Sequence, residues 1–139
     1  MRELCQKVMD EAKTASREKV QDEDMIYTLV VDYCQNMEMP FFGMDQPGET
    51  YYYTPKTVNV LGIVDCNPEK EVMHAYAYSE EEGGKGGNNV ASLIMKHLKD
   101  HGLLEGTQRK RLNIVMDNCP GQNKNNIVLR LSTYLHAKG

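Results

Sequence analysis

The chain reads as an α/β domain in which helices pack on a mixed β-sheet, and three observations predict that class. Its hydrophobic periodicity changes in the order helix, strand, strand, strand, helix, strand, helix. Its 139 residues match one domain with one core. Its 40% hydrophobic and 26% charged residues lie in the ordinary globular range. No apolar run approaches the roughly 18 to 20 residues of a membrane helix, so no membrane partner is expected.

Arg2 to about Gln21 has the spacing of a helix, with Leu4, Val8, Met9, Ala12 and Ala15 on a shallow stripe and no Gly or Pro to interrupt it. "MIYTLVVD" (Met25 to Asp32) is apolar on both faces apart from Thr28, which suits a central strand. "NMEMPFFGMDQPGETYYYTP" then reads as a loop, punctuated by Pro40, Gly43, Pro47, Gly48 and Pro55, with five aromatics to pack it.

"TVNVLGIVD" (Thr57 to Asp65) and "EVMHAYAYSE" (Glu71 to Glu80) flank the polar turn "CNPEK" and predict an antiparallel hairpin. After the Gly-rich "EEGGKGGNN", Val90, Leu93, Ile94, His97, Leu98 and His101 share one helical face until Gly102, with Asn88 or Asn89 able to cap it. "RLNIVMD" is a short strand. In "IVLRLSTYLH", Ile127, Val128, Leu131, Tyr134 and Leu135 form a second helical stripe, capped by Asn125 or Asn126.

The formal charge of −4 is unevenly spread. From Thr107 onward, six basic residues face the single acid Asp117; the preceding residues carry ten basic and nineteen acidic side chains. Only the C-terminal third therefore has the charge of a phosphate-binding surface. The charged N-terminus lacks the apolar segment of a secretory signal, which predicts an intracellular protein. Cys5, Cys34, Cys66 and Cys119 then read as thiols, because they form neither a C-x-x-C pair nor a zinc-finger spacing.

Asp32 and Asp117 each close an apolar strand, in "LVVDYC" and "IVMDNC". If those strands are parallel neighbours, both carboxylates emerge at one sheet edge, where oxygen ligands can hold hard divalent cations for phosphoryl transfer. The competing explanation is that each Asp organises a local turn. The amides after Asp117 divide similarly: Pro120-Gly121 suits a turn and one Asn a cap. Gln122, Asn123 and Lys124 remain to meet phosphate or sugar oxygens.

"MDNCPGQNKNN" closely resembles the Asp-x-Cys-x-Gly-Gln-Asn-Lys-Asn signature of a transposon-derived domain family of unknown function, related to DDE-type transposases of the RNase H-like superfamily. "VVDYCQNMEMP" resembles that family's first strand, and "EEGGKGGNNVASLIMKHL" its Gly-rich lead into a helix. The resemblance implies an RNase H-like mixed sheet with flanking helices over residues 25–139, and the helical spacing before it makes 1–24 a helical lead-in. It implies that Asp32 and Asp117 are catalytic ligands of Mg²⁺ or Mn²⁺. It further implies that Gln122, Asn123, Lys124 and Asn125 contact DNA, and that a functioning transposase would be nuclear.

A third acid is expected farther along, yet residues 118–139 contain no Asp or Glu. Either Asp65, Glu81 or Glu82 substitutes, or the chain lacks the C-terminal part of the domain. Loss of that part is the reading adopted, and with it a catalytically incomplete polynucleotidyl transferase or nuclease. The alternative is a non-catalytic module that binds nucleic acid or protein.

The remaining motifs read as structural. "GGKGG" lacks P-loop spacing. His97 and His101 are four apart but have no partnering ligand motif, so His97 reads as a satisfied, partly buried histidine. Cys34 and Cys119 read as small buried thiols. "RKR" (Arg109 to Arg111) is too short for a nuclear signal. Tyr51, Tyr52 and Tyr53 read as loop packing in preference to base stacking.

Overall fold

The computed structural model describes residues 26–66, 71–104, 111–117, 119, 121–122 and 125–138. The expected N-terminal helix and the "RKR" residues Arg109 and Lys110 lie outside them. The described part is a five-stranded mixed sheet with two α-helices. The strands are β1 (Ile26–Tyr33), β2 (Met37–Met39), β3 (Lys56–Cys66), β4 (Glu71–Ser79) and β5 (Arg111–Met116). The helices are α1 (Gly87–Asp100) and α2 (Asn126–Lys138). No helix among the described residues is long and apolar enough to cross a membrane.

β1 is central, as its two-sided apolar character predicts: it pairs antiparallel with β3 and parallel with β5. β3 and β4 form the expected hairpin, in continuous register from Val58↔Ser79 to Cys66↔Glu71. The parallel β1–β5 pair requires a crossover, which α1 supplies. β2 falls inside the segment read as a loop. It pairs with the start of β3 at Met37↔Val58, after Cys34 N donates to Val60 O at 2.9 Å. Between these two contacts the chain of β1 and β2 takes one residue more than β3 does. That extra residue is a β-bulge between Cys34 and Met37, and such bulges re-aim the strand that carries them.

Alternation decides which face is core. Tyr27, Leu29 and Val31 of β1 and Leu61 and Ile63 of β3 point to the same side, and all are buried. Val90, Ile94 and Leu98 of α1, with Val128 and Leu131 of α2, cover that side. Ile127 and Tyr134 do not join it, being 40% and 49% exposed, because α2 presents a narrower stripe than its sequence shows. α1 also begins earlier than predicted. Its N-cap is Gly86 with no side-chain cap, and Asn89 instead donates from Nδ2 to Gly84 O at 2.8 Å. Gly102 ends it with φ of 64°, the left-handed stop that glycine permits.

The aromatic loop departs most from expectation. Phe41, Tyr51, Tyr52 and Tyr53 are 72–87% exposed, so they do not pack the loop. A short 3₁₀ turn over Gly48–Tyr52, closed by Thr50 on Pro47 O, organises the backbone without burying these side chains.

Candidate metal centre

Val31 lies opposite Met116 in the parallel β1–β5 register. The next residues are Asp32 and Asp117, so the two carboxylates leave neighbouring strands at the same level. Both are exposed. Asp32 alternates away from Leu29 and Val31, toward the face opposite the core. Each side chain also makes a local turn contact: Tyr33 N donates to Asp32 Oδ1 at 2.8 Å, and Cys119 N to Asp117 Oδ1 at 3.2 Å. Turn-making and shared placement therefore coexist, and the local bonds orient the carboxylates. Exposed, paired oxygen donors fit the ligand preference of Mg²⁺ or Mn²⁺.

Two loops converge near this strand end. The Gly-rich loop folds back so that Lys85 Nζ donates to Cys34 O at 2.8 Å and lies 5.1 Å from the Tyr33 ring centre. It is a packed strap and not a nucleotide cradle. Tyr33 and Tyr78 share a 2.7 Å hydroxyl hydrogen bond, and Tyr78 donates on to Gly84 O. Burial first, and then the Tyr78 bond, raises the Tyr33 phenol above its ordinary pKa of 10.0. From the other side, Gly87 at the start of α1 lies against the Asn125 carboxamide, close enough that a Cβ would overlap it. The N-terminal ends of the two helices thus adjoin.

Asn125 is occupied by structure. Its Oδ1 accepts from Ile127 N and Val128 N at 3.0 and 3.1 Å, while Nδ2 donates to Gln122 O at 2.8 Å. This completes an α2 N-cap and uses the groups that were expected to meet DNA. Gln122 is half-buried, with its backbone N–H on Cys119 O. Asn123 and Lys124 lie outside the described residues. Cys34 is exposed and Cys119 half-buried, so neither is the buried thiol expected; Cys66 is.

The substitute third acids have other partners. Glu81 binds Lys56 Nζ at 2.8 Å, and Glu82 accepts from Ser79 N at 3.0 Å. Asp65 stands opposite Leu29, on the core face, where it joins a different cluster.

That cluster was only half legible. His97 is fully buried, with Nε2 3.0 Å from Asp65 Oδ1 and Nδ1 2.9 Å from the Tyr76 hydroxyl. It is the satisfied histidine its sequence position predicts. Burial lowers its pKa below the ordinary 6.5, against the opposing pull of Asp65. An ionised Asp65 accepts the Nε2 proton, leaving Nδ1 to accept from Tyr76. His74 Nε2 lies 3.4 Å from the other Asp65 oxygen, and His101 sits one helical turn beyond His97. The hairpin register Ile63↔His74 and Asp65↔Val72 places His74 and Asp65 on the core face. Alternation across the predicted hairpin was the signal that could have found them.

Comparison of the chain with protein-family models, curated proteins and solved structures gives no match.

Proposed function

We propose that this chain carries an RNase H-like, transposase-derived domain in which Asp32 and Asp117 bind Mg²⁺ or Mn²⁺ against a DNA backbone. One observation carries the reading: Val31 and Met116 are register partners on parallel neighbours, so the following two aspartates share one sheet edge. A mixed sheet with flanking helices agrees with it, as does a site beyond the carboxyl ends of parallel strands. A divalent cation held there would neutralise charge on phosphate oxygens. Asp32 and Asp117 supply its anionic ligands, each oriented by a backbone N–H, and Lys85 secures the adjoining strand end. Residues 118–139 contain no Asp or Glu, so the proposed metal and DNA binding rests on Asp32 and Asp117.

A second reading has its own support. Met37, Met39, Phe41, Met44 and the three tyrosines of the 37–53 segment are all more than half exposed, an apolar display typical of interaction surfaces. A non-catalytic interaction module would use that surface.

Thermal melts with and without millimolar Mn²⁺ separate the two. A cation at 100 times its Kd stabilises the folded state by about 2.7 kcal/mol. The metal reading expects a higher midpoint in the wild type and none in Asp32→Asn or Asp117→Asn. A cooperative melt indifferent to Mn²⁺ would reject it and leave the interaction module.

A further inference from the structure

Three of the chain's four histidines meet at one place. His74 comes from β4, His97 and His101 from consecutive turns of α1. Their ring centres are 4.2 to 5.1 Å apart, and one nitrogen from each lies within 4.8 Å of the others. Satisfying the buried His97 needs only Asp65 and Tyr76, so its own hydrogen bonding does not call for two further imidazoles beside it.

We infer that His74, His97 and His101, with Asp65 beside them, bind a transition metal of the zinc class and clasp α1 to the sheet. Imidazole nitrogen is the donor that zinc, copper and nickel favour, whereas Mg²⁺ and Mn²⁺ favour oxygen. At metal–nitrogen distances of about 2.0–2.1 Å, tetrahedral ligand atoms stand roughly 3.3 Å apart. Nitrogens within 4.8 Å therefore need only modest side-chain rotation to converge. His101 is exposed at the helix end.

The surrounding bonds prepare the cluster. His101 Nδ1 lies 2.8 Å from His97 O. A carbonyl can only accept, so Nδ1 carries the proton and Nε2 keeps its lone pair for a metal. Such a bond from the non-ligating nitrogen fixes ring and tautomer at metal sites. Asp65 contacts both His97 and His74 through separate oxygens, at 3.0 and 3.4 Å. It supplies the anionic charge that three neutral imidazoles lack. On binding, the metal takes one His97 nitrogen in place of its present hydrogen bond, while the other nitrogen retains its partner. This site is distinct from Asp32 and Asp117, because Asp65 lies opposite Leu29 on the core face.

The test uses the untagged chain in the Asp32→Asn background, which removes the other proposed metal site. Co²⁺ is titrated and its visible d–d absorption recorded, with Zn²⁺ as competitor. The expected result is a saturable spectrum at one equivalent that Zn²⁺ abolishes. His74→Ala and His101→Ala, both outside the buried core, should each weaken binding at least ~10-fold, while His136→Ala on α2 leaves it unchanged. Absence of saturable binding, or binding that survives in both His74→Ala and His101→Ala, would overturn the assignment. A melt of each variant without metal checks that it is folded.

Discussion

Asp65 Oδ1 and His97 Nε2 lie 3.0 Å apart across the interface between β3 and α1, both within the buried interior. A polar pair in such a place is stable only while both partners are present. Asp65→Asn in metal-free protein should cost on the order of 1.5–3 kcal/mol, the usual scale for a hydrogen bond to a charged group. His97→Ala should cost at least ~3 kcal/mol, because it also leaves a cavity. In urea denaturation the double variant should be less destabilised than the two losses added.

Stability of the metal-free protein should fall on acidification. The folded pKa of His97 is held below its ordinary 6.5 by burial, with Asp65 opposing and His101 and His74 assisting; Tyr76 completes its surroundings. Above 6.5 the imidazole is neutral in both states and its full contribution is present. Below 6.5 the unfolded chain takes up a proton that the native state does not, so stability drops until the folded pKa is reached. Urea midpoints measured from about pH 7 to about pH 5 should decline, and His97→Gln should flatten that slope.

Gly87 and Asn125 should be energetically coupled. A Cβ at Gly87 overlaps the Asn125 carboxamide, which three cap bonds hold in place. Gly87→Ala should therefore destabilise by about 1–3 kcal/mol in the wild type. Asn125→Ala should cost about 1 kcal/mol through loss of the cap. With Asn125 already replaced, Gly87→Ala should cost at least ~1 kcal/mol less, and a double-mutant cycle by thermal melting checks this.

The exposed aromatic segment should be dispensable for folding. Ile63 is 0% exposed and Tyr52 87%. Ile63→Ala should cost about 2–5 kcal/mol, whereas Tyr52→Ser and Phe41→Ser should stay within about 0.5 kcal/mol. Denaturation midpoints of the three variants test the contrast. A large loss in either surface variant would mean that the loop supports the fold.

The sequence by itself determined the elements that follow from local periodicity and turn chemistry. A two-sided apolar run marked β1, turn-flanked runs marked β3 and β4, and a short apolar run marked β5; helical spacing marked α1 and α2; Gly102 marked a helix stop and Asn125 or Asn126 a cap. The paired endings "LVVD" and "IVMD" made Asp32 and Asp117 candidates before any strand order was known.

Only the tertiary structure decided what those residues meet. The parallel pairing of β1 with β5 turned two separate aspartates into register neighbours, and nothing local to either strand specifies its partner. β2 leaves little trace in the sequence because three residues carry too little pattern, and its pairing depends on the extra residue between Cys34 and Met37. The aromatic loop stays exposed against expectation because apolar composition does not reveal whether a surface is available to cover it. Asp65, His74, His97 and His101 meet only because the hairpin register and the seating of α1 bring them to one face. Contacts between residues distant in the chain are set by strand pairing and packing, whereas periodicity reports only which side of its own element a residue occupies.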